Sequence, residues 1–531
     1  MRGVKVTART KGKPSRWPFS RLDTILATVV ILGAVIGLAS TRIPILYAVA
    51  VIGGIALFVL IYRYLMLGLV LGFILNLTIP QAGPTASLGM QIQVMGEPRG
   101  LHFNLHELVF FMVLAALLIH VFLDVIELRK KDATRSQTWE YLYGLIKSPI
   151  TFAIVLYVLT SILASFVGLM NDATWYVVVF RFVRTVFFVY IFFLVINIVK
   201  TRKQFETLII IMLICFTVVA LFGLVQKALG ENWTRQYVKK WLEKIGYPDD
   251  VNFVAGESSA QAYRINSTFL HPNVFGGYLV FALPFFISFL SPMWRKKRYW
   301  LWLLLLIGLG INLGALFLTG SRAAWVAAGC IALLYGIFGL LDKRMWLAAA
   351  TVVMVLLLLF IMLFPPAFVK KRFVGLSAQE AAEARMYQYQ TAIDFFMEHP
   401  FLGLGMGMEG QKIVQNNIRQ TWAAVENTFL TYLVSHGLIG LAAFLLVFII
   451  YWAILLYARK RSPDDPLIYF SSEAFILGMV GFAVSNMFGA WLLFAIPMHT
   501  LFWFYIGMGG ALYNIFREEE EPAAEALPQA V

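Results

Sequence analysis

The chain has 531 residues, 60% of them hydrophobic and only 14% charged, with a mean hydropathy of +0.77. A set of soluble domains of this length would carry far more charge and is excluded. The formal net charge of +14 does not point to nucleic acid, because Lys and Arg concentrate in short segments between apolar runs, the pattern of cytoplasmic loops.

The chain opens with a basic tail, "MRGVKVTARTKGKPSRW", which places a cytoplasmic segment over 1–21. No cleavage site follows it, so it does not read as a removed signal peptide. Apolar runs of about 17–25 residues then recur to residue 513, the length a helix needs to cross a bilayer. No strand-like alternation suggests a barrel. The fold class is an all-α polytopic membrane protein of about 14 transmembrane helices with a large, partly helical external loop. Spans are expected at about 22–40, 43–62, 64–80, 106–127, 149–168, 177–199, 205–228, 272–291, 298–318, 321–341, 344–364, 427–457, 469–489 and 491–513. The end of the chain, 514–531, is acidic, rich in Ala and Pro, and reads as a disordered cytoplasmic tail.

Alternate connections are basic: Arg63, "LRKKDATR", "KTRK", "WRKKR", "DKR" and "ARKRSPDD". That alternation puts both termini in the cytoplasm. Three longer segments then fall outside, at about 81–105, 229–271 and 365–426, and loops of this size are usually functional. The second contains "TRQYVKKWLEKIG", read as a surface amphipathic helix. In the third, Ser377 and Glu380 have capping-box spacing, helix formers follow to about Met397, and Pro400 ends the run. "GLGMG" then turns the chain back toward the membrane. The two cysteines, Cys215 and Cys330, lie inside apolar runs and read as core residues. The seven histidines show no metal-ligand spacing, and no cofactor or metal is expected.

With this topology several polar residues collect on the outer side. Glu426 and Asn427 open the twelfth span, and Arg385 lies on the loop helix. Arg264 precedes "INSTFLHPNVFGGY". Ser321 and Arg322 lie in "LTGSRAAW", where two spans meet with almost no loop. Arg181 and Arg184 lie in "VVVFRFVRTVFF", one turn into the sixth span. Each has an ordinary structural explanation. Arg181 and Arg184 share a helix face and can snorkel to lipid phosphates. Arg264 and Arg385 can be solvated loop charges. His399 can simply end a helix, and His436 can be an interior histidine. Glu426 suits a helix N-terminus through the dipole alone. Together, however, several guanidiniums facing one carboxylate at a membrane surface suit a phosphate-bearing lipid. A carboxylate does not help bind an anion, so its task is that of a general base toward an incoming hydroxyl.

"YRINSTFLHPNVFGGYL", "LTGSRAAW", "EARMYQYQTAIDFFMEHPFLGLGMG" and "ENTFLTYLVSHGLIG" resemble, in order and spacing, the O-antigen ligase/polymerase superfamily over about 260–450. The family's late motif is His, then Asn, Ser or Gln, nine residues, then GxxG. Asn427, Gly437 and Gly440 fit it, and Glu426 stands at the histidine position. The resemblance implies transfer of a glycan from an undecaprenyl-pyrophosphate carrier to an acceptor hydroxyl at the outer face of the cytoplasmic membrane. It implies catalytic roles for Glu426, Arg322 and Arg385; from their place on the outer side, Arg264, Arg181, Arg184, Asn427, Asn273, Ser321 and His399 are candidate substrate-binding residues. Partners would be the lipid-linked donor, a glycan, lipid or protein acceptor, and membrane lipids. The substitution of Glu for His fits a polymerase or another acceptor better than a strict lipid A-core ligase.

A lipid-linked oligosaccharide flippase is the alternative, and about 14 spans suit it. A carrier, however, is expected to place its polar residues at mid-membrane between short loops. A peptidoglycan-type polymerase uses the same carrier, but "SRAAW" and "GLGMG" favour the O-antigen superfamily.

Overall fold

The computed structural model describes residues 45–78, 91–94, 97–100, 105–131, 133–233, 236, 264–269, 271–363, 376–408, 425–490, 492 and 496–525. The first two long helices are α1 (Ile45–Arg63) and α2 (Leu65–Thr78). A small antiparallel hairpin, β1 (Gln91–Val94) with β2 (Glu97–Gly100), follows, with Gln91 opposite Gly100. Next come α3 (Leu105–Lys130), α4 (Arg135–Ile146), α5 (Pro149–Met170), α6 (Trp175–Ile198) and α7 (Arg202–Leu229). Then α8 (Pro272–Arg295), α9 (Tyr299–Leu318), α10 (Arg322–Leu341) and α11 (Met345–Leu363) run before the loop helix α12 (Leu376–Glu398). The chain closes with α13 (Thr428–Arg461), α14 (Pro466–Asn486) and α15 (Ile496–Glu525).

Local chemistry sets many of these starts. Thr134 with Gln137, and Thr201 with Gln204, form reciprocal capping boxes at α4 and α7. Pro149, Pro272 and Pro466 occupy the first turns of α5, α8 and α14, where a missing N–H costs nothing. Asp465 caps α14 by accepting from the N–H groups of Leu467 and Ile468.

Helix α8 is the axis of the bundle. It is buried almost all round, packed by α9, α10 and α14, with Phe275, Tyr278, Phe281 and Phe285 fully covered. In contrast, α5, α7 and α11 expose residues such as Phe152, Ile210 and Val353 outward. A helix that covers an apolar stripe on one side and shows another outward is suited to lipid. This is a multi-pass membrane protein.

Every expected span from 43 onward coincides with a helix. Among the described residues, however, nine helices are long and apolar enough to cross a membrane, with two shorter apolar helices at Ile52–Arg63 and Leu65–Thr78. The expected number of about 14 rests on run length and on the alternation of basic connections; its first span, 22–40, lies outside the described residues, as does most of 229–271 with "TRQYVKKWLEKIG". Three further details differ from the sequence reading. The connection after α3 holds a separate helix, α4, in which Trp139 and Tyr143 are exposed. The acidic end is helical to Glu525, and Glu519 pairs with Arg202 at 2.8 Å. Finally, α12 is described from Leu376, so Ser377 lies within its first turn and not at the cap.

Candidate functional site

The site is built where α12 meets the N-terminal end of α13. The returning loop makes this possible. Its Leu404 N–H donates to Val434 O at 2.8 Å, and Met406 N–H donates to Ala164 O at 2.8 Å. Backbone thus packs on backbone. A Cβ on Gly405, whose φ is +94°, would fall 2.0 Å from Gly168 N on α5. On the other side α13 is broken at Gly437 (φ +64°, ψ −168°), and there Leu438 N–H donates to Pro400 O at 2.9 Å. Gly403 and Gly405 of "GLGMG" and Gly437 of "HGLIG" are therefore the points where loop and helices meet backbone to backbone. A small apolar core seals the junction, with Ala392 and Phe395 of α12 against Val425, Val434 and Leu404.

This docking aims one face of α12 at the start of α13. Arg385, Gln388, Tyr389 and Ala392 follow helical i, i+3, i+4, i+7 spacing. Arg385 donates from Nε to Glu426 Oε2 at 2.6 Å, and its Nη2 pairs with the same oxygen. Glu426 Oε1 takes no hydrogen bond among the described residues. Gln388, only 4% exposed, accepts from the Glu426 N–H at 3.1 Å. The Tyr389 hydroxyl lies 3.2 Å from Glu426 O and 3.1 Å from Met487 O, and its one proton can be donated to either carbonyl. Burial raises the Tyr389 phenol above its ordinary value, so it stays a protonated donor.

The arginine and the carboxylate are each about a quarter exposed. A charge-assisted pair in that setting is geometrically specific. Its stabilisation remains small, about 0–1 kcal/mol. Arg322, half-buried, opens α10 behind the Ser321 cap, whose hydroxyl accepts from Ala324 N at 3.4 Å. It interacts electrostatically with both Arg385 and Glu426 and forms no ion pair among the described residues. The structure thus brings Arg322, Arg385 and Glu426 together.

The other candidates are placed differently. Asn427 is the N-cap of α13: its Oδ1 accepts from Leu430 N at 3.0 Å, which gives it a structural task. Arg264 is 7% exposed and donates to Thr319 O at 2.6 Å and to Asn273 Oδ1 at 2.5 Å. It ties the approach to α8 to the turn before Ser321, so Arg264 and Asn273 brace the Arg322 hairpin. Arg184 is no lipid snorkel: its Nη1 lies 3.4 Å from Glu107 Oε1, and Glu107 is 1% exposed. Arg181 interacts electrostatically with buried His436, whose Nδ1 lies 2.7 Å from Ser435 Oγ. His399 is exposed just past the end of α12, and among the described residues no hydrogen bond joins it to the three-residue group. Gln388 and Tyr389 escaped the sequence reading, although their spacing from Arg385 on a helix was the available signal. Glu107 escaped it too.

Among the described residues, no group of three or more His, Cys, Asp or Glu side chains converges as a metal site would. Residues 307–445 match the family model described as O-antigen ligase. The matched segment contains Arg322, Arg385, Glu426 and Asn427, while Arg181, Arg184, Arg264 and Asn273 lie outside it. No curated protein matches the chain. The match bears out the resemblance to the O-antigen ligase/polymerase superfamily, and with it a membrane glycan-processing role that involves lipid-linked glycans and polysaccharide.

Proposed function

Starting from a chain of the O-antigen ligase/polymerase superfamily, we propose a glycosyltransferase that moves glycan from an undecaprenyl-pyrophosphate carrier to an acceptor hydroxyl. In this reading both termini are cytoplasmic, and α12 lies at the outer face of the cytoplasmic membrane. The single observation that carries it is the convergence of two guanidiniums and one carboxylate within the matched segment.

The chemistry follows from those groups. Arg322 and Arg385 hold the pyrophosphate and oppose the charge that grows as it leaves. Glu426 Oε1 takes the proton from the acceptor hydroxyl. The oxygen's freed electron pair forms the bond to the anomeric carbon, and the bond from that carbon to the pyrophosphate oxygen breaks. Direct displacement inverts the anomeric centre. The guanidiniums supply the positive charge that a metal provides in other transferases, so the reaction is read as metal-independent.

The test uses purified protein in proteoliposomes with undecaprenyl-pyrophosphate-linked glycan and a polysaccharide acceptor. The expected products are extended or ligated glycan and free undecaprenyl pyrophosphate in equal amounts, with EDTA making no difference. The flippase reading has the buried Glu107–Arg184 pair in its favour, since charged pairs inside a bundle mark transport paths. It predicts donor that crosses the bilayer intact, with no new glycosidic bond.

A further inference from the structure

Two residues with different tasks in that reading are bound to each other. Arg385 has both Nε and Nη2 on Glu426 Oε2. A guanidinium presents its fork to one anion at a time, so a phosphate oxygen on that edge must displace the carboxylate. Arg322 carries no such partner among the described residues and stands within electrostatic reach of both. The backbone of Glu426, by contrast, is fixed from two sides by Gln388 and Tyr389.

We propose that the Arg385–Glu426 ion pair is a resting latch that the donor's pyrophosphate opens, so that acceptor activation follows donor binding. The proposal rests on the transferase reading above. Arg322 receives the incoming pyrophosphate first. The second phosphate then takes the Arg385 fork, and the Glu426 carboxylate turns free. Gln388 and Tyr389 act as positioning residues: they keep the backbone still, so that the released side chain swings without carrying α13 with it. Such a latch has a chemical purpose. A base exposed before donor arrives does no useful work, whereas one freed by the donor is available only when a leaving group is in place. The latch is weak enough to open, because both partners are a quarter exposed and the competing ligand carries more negative charge.

The latch predicts that removing the carboxylate tightens donor binding. Binding of undecaprenyl pyrophosphate is measured on the full-length protein in nanodiscs, for wild type, Glu426→Gln, Arg385→Gln and the double variant. Glu426→Gln should bind about 5-fold more tightly, the equivalent of one exposed ion pair no longer competing. Arg385→Gln should bind more weakly, and the double variant should show no gain over it. Tyr389→Phe should lower kcat with donor affinity unchanged, a split that a general loss of folding does not give. Unchanged affinity in Glu426→Gln, with transfer still abolished, overturns the latch and leaves the base assignment standing. Unchanged affinity in Arg385→Gln removes Arg385 from the pyrophosphate site, and both the latch and that part of the transferase reading fall.

Discussion

The protein holds guanidiniums against carboxylates at both ends of α13, in opposite ways. Glu426 precedes the helix and Arg459 lies in its last turn, about 50 Å along it by helical rise. At the far end, Glu473 is fully buried and accepts from Arg344 Nη1 at 3.1 Å, Arg459 Nη2 at 3.0 Å and Ser288 Oγ at 3.2 Å. Arg344 Nη2 reaches Asp342 Oδ2 at 2.7 Å, and the Arg459 guanidinium lies over the rings of Phe338 and Tyr469. Both carboxylate oxygens of Glu473 are occupied and the charges balance, so this network ties α8, α10, α13 and α14 together. At the near end one guanidinium meets one oxygen, and the other oxygen is unclaimed by the described residues. A buried carboxylate with both oxygens taken holds a structure; a partly open one with an oxygen to spare remains available to a ligand.

Substitutions away from Glu426 sharpen that contrast. The largest effect on stability is expected at Glu473. Glu473→Ala leaves two guanidiniums short of a partner in a buried place, and removing one side of a buried pair costs about 3–5 kcal/mol. A thermal-shift or denaturant series should show the loss, with transfer per folded molecule near normal. Arg322→Lys keeps the charge but not the fork, and transfer should fall about 10- to 100-fold at unchanged melting temperature, or ~1.4–2.7 kcal/mol of barrier. Normal turnover would remove Arg322 from the site. Tyr389→Phe deletes one hydrogen bond to the Glu426 carbonyl, and kcat should fall by about 5-fold, or ~1 kcal/mol. The smallest effect is one of pH, at Asp342. Burial alone would raise its carboxyl, but Tyr469, Arg459 and Arg344 together hold it below the ordinary value of 3.8. A depressed folded value means stability that is fully present above 3.8 and is lost as pH falls through the lower folded value. Melting temperature against pH for wild type and Asp342→Asn should converge at the acid end.

Much of this was legible in the sequence because a bilayer permits few solutions. Apolar run length located the long apolar helices from Ile45 onward, though not α4 or α12, and basic connections separated them. Arg322, Arg385 and Glu426 stood out because charge next to hydrocarbon is costly and needs a reason. The pairing was not legible. "DKR" and "ARKRSPDD" read as loop charges, yet Arg344 turns inward to Glu473, 129 positions away, and Arg459 pairs with Asp342, 117 positions away, contacts that tertiary packing sets. Arg184 likewise pairs with Glu107 on a different helix.

The most direct test of the account is the single-turnover transfer rate of Glu426→Gln with saturating undecaprenyl-pyrophosphate-linked donor. The substitution keeps size and hydrogen bonding but removes proton acceptance. A positioned general base contributes about 100- to 10,000-fold, whereas a carboxylate that only favours a helix terminus contributes about 0.3–1 kcal/mol of stability. The account predicts a folded protein of near-normal melting temperature that transfers at least about 100-fold more slowly. A variant with near-normal turnover and a slightly lowered melting temperature would make Glu426 a structural residue and contradict the account.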